Sequence, residues 1–220
     1  MTEKTTGKVK AHTVYKLADG TRVPGVTTIL GVLAKPALIP WANKMGLQGI
    51  DTTKYVDEKA AIGTLAHEMI MSHLVRGAVS VDLSDYTPNQ IELAENSMIK
   101  YLDWEKEHTI EPLLVEAPLV SEIYRYGGQV DLLCELDDVV TLVDFKTGGG
   151  IYKEAGYQVS AYAAMIVECH PEFKLGSTRI LRIGRDESEG FDDHIYPDLS
   201  VYFSVFTHCL AIYELQKKVK

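Results

Sequence analysis

Hydrophobic and polar positions follow two periods along the chain, and the change of period marks the elements. The clearest period-two stretch is 127–146. Within it Gln129–Leu136 and Val139–Lys146 read as strands, and Asp137-Asp138 between them suits a tight turn. Successive strand residues point to opposite faces, so Gln129, Asp131, Leu133 and Glu135 share one face of the first run. Val140, Leu142, Asp144 and Lys146 share one face of the second. Pairing as a hairpin sets Asp131 beside Asp144. Leu113–Ser121 is a further strand, and Pro118 within it suggests an edge or a bulge. Leu114, Glu116 and Pro118 share a face there. Short strands are expected at Val9–Leu17 and Thr21–Pro24 around Ala18-Asp19-Gly20, and later ones at Thr178–Gly184 and Phe191–Tyr196.

The helical period governs the remainder. Thr27–Leu33 and Pro36–Met45 read as helical pieces, the second stopped by Gly46. Thr52 or Thr53 caps a helix over Lys54–Arg76, closed by Gly77. Val56, Ala60, Gly63, His67, Ile70 and Leu74 fall on one face of it, which the spacing directs at the core. Thr87 caps and Pro88 opens a helix to Glu107. Lys153–Cys169 forms another, with Ala155, Gln158, Tyr162, Met165 and Cys169 in one stripe, ended by Pro171. Asp198 or Ser200 caps a closing amphipathic helix that runs to the C-terminus. These elements describe an α/β chain with a mixed (α+β) sheet. No repeat or linker divides it, so one domain is expected over 1–220: a basic segment at 1–50, a core at 54–196 and the helix at 198–220.

Composition is that of a globular protein, with 46% hydrophobic and 24% charged residues. The first residues, MTEKTTGKVK, lack the apolar region of a signal peptide, and no apolar run is long enough for a membrane span. Three cysteines, at 134, 169 and 209, have neither CxxC spacing nor a disulfide pattern. They point to a reducing, cytoplasmic compartment and exclude an iron–sulfur cluster or zinc ribbon. The net charge of −9 argues against indiscriminate coating of nucleic acid. That charge is uneven. Residues 1–50 carry +5, from Lys4, Lys8, Lys10, Lys16, Arg22, Lys35 and Lys44 against Glu3 and Asp19, which leaves −14 for the rest. The basic segment reads either as a phosphate-binding lip or as ordinary surface scatter.

The chemistry concentrates where charge interrupts apolar faces. An apolar strand face that ends in Asp144 and Lys146 needs partners, an ion or water, because burying charge unpaired is expensive. Asp131, Asp144 and Lys146 at one place resemble a metal site with a charged helper. His67 reads on its own as a hydrogen-bonded core histidine. His67 and His73 are separated by six residues, not the four of HExxH, so a zincin site is rejected. Gly148-Gly149-Gly150 lacks the spacing of a P-loop. Trp41 near Lys44 is a stacking surface for a base or a core tryptophan. Tyr124, Arg125 and Tyr126 are nucleic-acid contacts or turn packing.

Taken in order, GxxxH at Gly63–His67, Glu116, Asp131, the triplet Asp144-Phe145-Lys146 and QxxxY at Gln158–Tyr162 resemble the motifs of the PD-(D/E)XK nuclease superfamily. The similarity is to its RecB-like exonuclease branch, which includes CRISPR-associated and mitochondrial genome-maintenance proteins. VPGVTTILG, followed by Trp41, resembles phage-encoded members. The motifs span Val26–Tyr162. The resemblance implies a restriction-endonuclease-like αβββαβ core with N-terminal helical additions, and hydrolysis of phosphodiester bonds in DNA from its ends. It implies one or two Mg²⁺ or Mn²⁺ ions held by Asp131, Asp144, the Phe145 carbonyl, His67 and Glu116. Lys146 would act on the attacking water or the developing charge, with Gln158 and Tyr162 bracing the site. Expected partners are DNA and recombination or replication proteins; no membrane is expected. A non-catalytic DNA-end or junction binder of the same fold, or a nuclease for RNA or for particular DNA structures, stays open.

Overall fold

In chain order the elements are β1 (Tyr15–Lys16), β2 (Arg22–Val23), α1 (Val26–Leu30), α2 (Leu38–Leu47), α3 (Thr52–Leu74), α4 (Pro88–Glu105), β3 (Ile110–Ser121), β4 (Tyr126–Leu136), β5 (Val139–Thr147), α5 (Lys153–Cys169), β6 (Ser177–Ile183), β7 (Phe191–Ile195) and α6 (Ser200–Gln216). This computed structural model describes residues 13–219. The first part of the expected strand Val9–Leu17 and the charges at positions 3, 4, 8 and 10 lie outside the described residues.

Five strands form one mixed sheet in the order β3-β4-β5-β6-β7. β3, β4 and β5 are an antiparallel meander. β6 joins parallel to β5 after the α5 crossover, and β7 returns antiparallel. Asp137 and Asp138 both adopt positive φ (49° and 66°), the geometry of a two-residue turn whose twist matches the strands it joins. Alternation then divides the core. Leu133 and Leu142 pack on one side with Val159 and Met165 of α5 and Phe206 of α6. Leu132, Cys134, Val143 and Phe145 pack on the other with Ile70 and Leu74 of α3 and Tyr101 and Trp104 of α4. The result is a mixed α/β fold with helices on both faces of the sheet. Among the described residues no helix is long and apolar enough to cross a membrane.

The sheet forks at its centre. The β4–β5 ladder runs from Leu136↔Val139 to Leu132↔Val143, and no further pair follows among the described residues. β4 nevertheless stays paired to β3 as far as Tyr126↔Ser121, and β5 to β6 as far as Thr147↔Ile183. Asp131 and Asp144 are the next residues on the two strands beyond the last pair, so both carboxylates stand in the fork.

Local signals explain several helix ends. Thr87 and Gln90 make a reciprocal capping box at α4, behind Pro88. α3 is capped by Asp51, which accepts hydrogen bonds from the Thr53 and Lys54 backbone N–H groups, rather than by Thr52 or Thr53. Asp198 likewise precedes α6 and accepts from the Ser200 N–H. Gly46 does not stop α2, which continues to Leu47; the chain turns at Gly49, with φ of +72°. The larger correction concerns α3. Its core face is Ile62, Leu65, Ala66, Ile70 and Leu74, whereas Val56 is 50% exposed and Ala60 is exposed. The stripe through Val56, Ala60, Gly63 and His67 lines an open cleft, and a cleft wall that is apolar mimics a core face in sequence.

Close packing of α5 on β4 depends on Gly128. A Cβ there would lie 2.5 Å from Cε1 of Tyr162 and 2.9 Å from Cε of Met165. Gly128→Ala should therefore cost about 1–3 kcal/mol of stability through overpacking. Urea denaturation of the variant checks this, and an unchanged midpoint would show that α5 does not sit this close.

Candidate active site

The fork places two acids next to each other where the β4–β5 ladder ends. Asp144 is 1% exposed, and its Oδ2 lies 2.6 Å from Lys146 Nζ. Beyond that ion pair neither of its buried oxygens receives a hydrogen bond among the described residues. Burial pushes the Asp144 carboxyl up to about 6; Lys146 opposes this, and the Asp131 charge adds to it. Burial by itself would lower the Lys146 pKa, but Asp144 and Asp131 outweigh it and raise it, so the side chain is a firm ammonium. Asp131 is held differently. Its Oδ2 accepts a hydrogen bond of 2.9 Å from the Phe145 backbone N–H, across the gap where the β4–β5 ladder has ended.

Two further ligand types arrive from neighbouring elements. Gly63 lets α3 close on the end of β5, since a Cβ there would lie 2.6 Å from the Thr147 hydroxyl. One turn later His67 faces the site, its ring edge-on to Phe145 at 6.0 Å and its Nδ1 3.9 Å from Asp131 Oδ2. On the other flank Val115 pairs with Leu132 and Ala117 with Val130, which sets Glu116 across from Asp131. Glu116 has a φ of +49°, uncommon for a residue with a side chain. Gln129 donates a hydrogen bond to its carboxylate.

One ligand atom each from His67, Glu116 and Asp131 lie within 4.8 Å of one another, so this cluster can hold a metal ion. Two carboxylates and an imidazole are oxygen and nitrogen donors of the kind that ligate divalent metal ions. The unsatisfied Asp144 oxygens beside them are the second indication of fit, because a cation would supply what the protein does not. On α5, Gln158 Nε2 donates to the Tyr162 hydroxyl at 2.8 Å. Burial first, then the Asp144 charge, raise the Tyr162 pKa far above its ordinary value, so the phenol stays neutral.

Lys146 sits at the junction of two hollows. One, about 490 Å³, lies between α3 and the end of β5, with His67, Thr147 and Arg185 in its wall. The other, about 610 Å³, lies between the α1–α2 connection and the start of α5, with Lys35, Tyr152 and Gln158 in its wall. The structure thus gathers His67, Glu116, Asp131, Asp144, Phe145, Lys146, Gln158 and Tyr162 around the fork.

The residues read as nucleic-acid contacts are placed elsewhere. Tyr126 is fully buried and donates its hydroxyl to the Ala161 carbonyl at 2.8 Å, so it is a core residue and that reading is corrected. Tyr124 packs edge-on against Phe203, and with Arg125 it lines a separate depression beside α6. Trp41 lies against Tyr55, which does line the cleft, and Lys44 is exposed on α2. Sequence reasoning missed Arg185 and Thr147, which stand in no recognisable motif. It also missed the grip of Gln129 on Glu116, whose signal was the shared strand face of Gln129 and Asp131.

The chain matches no protein-family model and no curated protein. Among solved structures it is similar to a "Putative exonuclease" from Eubacterium rectale, at 12% identity and a TM-score of 0.48 over 70% of this chain. The match spans 65% of the length of that protein. A second similar structure is that of SSO0001, at 11% identity and a TM-score of 0.31, covering 66% of this chain and 68% of the other.

The raised Asp144 pKa fixes the sign of a pH effect. Between the ordinary carboxyl value of 3.8 and about 6 the folded, metal-free protein keeps a proton that the unfolded chain has lost. Stability therefore falls as pH rises through that window, by roughly 2–3 kcal/mol from this group. Urea midpoints measured in EDTA from pH 4 to 7 should show this trend in wild type and not in Asp144→Asn. Parallel curves would contradict it.

Proposed function

We propose that the protein is a metal-dependent nuclease of the PD-(D/E)XK superfamily, of the RecB-like branch and phage type. In this reading it hydrolyses DNA from its ends, in the cytoplasm of the host cell, alongside recombination or replication proteins. Residues 1–220 act as one catalytic unit with its core at 54–196. The observation that carries the reading is the fork itself, which brings Asp131, Asp144 and Lys146 to one point next to the His67–Glu116–Asp131 cluster. GxxxH, QxxxY and VPGVTTILG support the choice of branch.

Asp131, Asp144, Glu116, His67 and the Phe145 carbonyl would hold one or two Mg²⁺ or Mn²⁺ ions. Such an ion supplies charge neutralisation and polarisation of the phosphate. The residues do the rest. Lys146, kept protonated by its two acidic neighbours, places a positive charge where negative charge develops in the transition state. Tyr162, a neutral phenol already accepting from Gln158, keeps its own proton to donate to a phosphate oxygen. The apolar shell of Leu142, Val159 and Met165 limits water beneath the acids.

The test is degradation of end-labelled single- and double-stranded DNA with Mg²⁺, Mn²⁺ or EDTA, with closed circular DNA as a control for attack away from ends. Wild type should release label only with a divalent ion and spare the circle. Lys146→Ala should lose about 10²–10³-fold in kcat, as for loss of an electrostatic stabiliser. Equal inertness of both proteins, with DNA still bound, would make the chain a DNA-end binder instead.

A further inference from the structure

Beyond Lys146 the hollow along α3 extends into a region that the proposed chemistry does not use. Tyr55, Val56, Lys59, Ala60 and Thr64 form one wall of it, and Arg185 stands in the other. Arg185 belongs to the connection between β6 and β7, and its side chain is 11% exposed. Its Nε donates to Glu189 Oε2 at 2.9 Å, and its Nη2 donates to Glu189 Oε1. The backbone N–H of Arg185 donates to the same carboxylate at 2.8 Å. Glu189 thereby fixes one edge of the guanidinium, and among the described residues Nη1 has no protein acceptor. A guanidinium held by one carboxylate with donors to spare is organised in advance for a second anion, at little entropic cost.

The opposite wall has a matching chemistry. Lys59 Nζ lies 5.7 Å over the ring of Tyr55, and that ring leans on Trp41 at 6.2 Å between centroids. Val56 and Ala60 add exposed apolar surface to the same wall. The volume of about 490 Å³ falls within the usual range for ligand pockets. A fixed guanidinium, an apolar wall and an accessible aromatic face correspond to the phosphate, sugar and base of one nucleotide. The exposed apolar half of α3, costly to leave in water, has a use in this arrangement.

We infer that Arg185 binds a backbone phosphate of the polynucleotide next to the one cleaved, with Lys59 as a second cation and Tyr55 as a stacking surface for the adjoining base. The inference rests on the nuclease reading and adds to it a substrate-binding site outside the metal cluster. It makes Glu189 the positioning residue for Arg185, and it assigns the stripe of α3 to substrate rather than to core.

The experiment is fluorescence anisotropy of a labelled single-stranded DNA oligonucleotide in EDTA over a series of salt concentrations. Wild type, Arg185→Ala, Arg185→Lys and Lys59→Ala are compared, with steady-state kinetics on the same DNA in Mg²⁺ or Mn²⁺. Arg185→Ala should weaken binding about tenfold and lower the slope of log affinity against log salt by about one, the signature of one lost phosphate contact. The loss in kcat/KM should be carried by KM. Arg185→Lys, which keeps the charge but not the two-point hold of one guanidinium edge on Glu189, should fall between. Lys59→Ala, on a helix that alanine favours, should show a smaller loss and decides the matter if the Arg185 variants do not fold. Affinity and salt slope equal to wild type in both alanine variants would overturn the site while leaving the nuclease intact. Wild-type binding without metal-dependent cleavage would overturn the nuclease reading and leave the affinity comparison to judge the site. Wild type that binds no polynucleotide would overturn both.

Discussion

The structure turns on one buried carboxylate that the protein does not neutralise completely. Asp144 sits at the end of an apolar strand face, almost without exposure, and among the described residues its one close partner is Lys146. A sheet whose ladder continued past Val143 would have to bury that acid among paired backbone groups. Here the ladder between β4 and β5 ends one residue earlier, and the backbone N–H of Phe145 turns to the Asp131 side chain instead. The fork is thus both a defect in the sheet and the means by which two acids and a lysine share one place. Free energy is given up there in an unpaired stretch of ladder and in a buried carboxylate that, among the described residues, meets only Lys146.

Around the fork, small residues set the distances. Gly63 brings α3 against Thr147, and one turn later His67 reaches the acids. Gly128 admits the Tyr162 ring, which places the Gln158–Tyr162 pair at the same point. GxxxH and QxxxY therefore have a geometric content: each couples a close approach or a helical neighbour to a side chain that must meet β4 and β5. Glu116 comes from the edge strand, in a backbone conformation that few residues with side chains adopt, and Gln129 holds it there.

Much of this was legible in the sequence, for definite reasons. Period-two alternation located the hairpin and its turn, and the hairpin register brought Asp131 next to Asp144. Caps and breakers located α4 and α5 closely. What failed was one reading in which apolar character was equated with burial. The Val56–Ala60–Gly63 stripe proved to be a cleft wall, and of the two readings of Tyr126, nucleic-acid contact or packing, it is packing that holds, with the hydroxyl donated to the Ala161 carbonyl. Alternation also says nothing about where a ladder stops, so the fork itself was invisible. Arg185 was missed because its role depends on Glu189 and on the packing of two loops, neither of which leaves a periodic trace.

The central claim is that the fork is built to receive a divalent cation, and calorimetric titration of the wild-type protein with Mn²⁺ and Mg²⁺ tests it most directly. Asp131→Asn and Asp144→Asn would be titrated beside it. The account predicts heat of binding in wild type that is lost or greatly weakened in both variants, with each variant still folded. Absence of binding in wild type, or binding of equal strength in all three proteins, would contradict it.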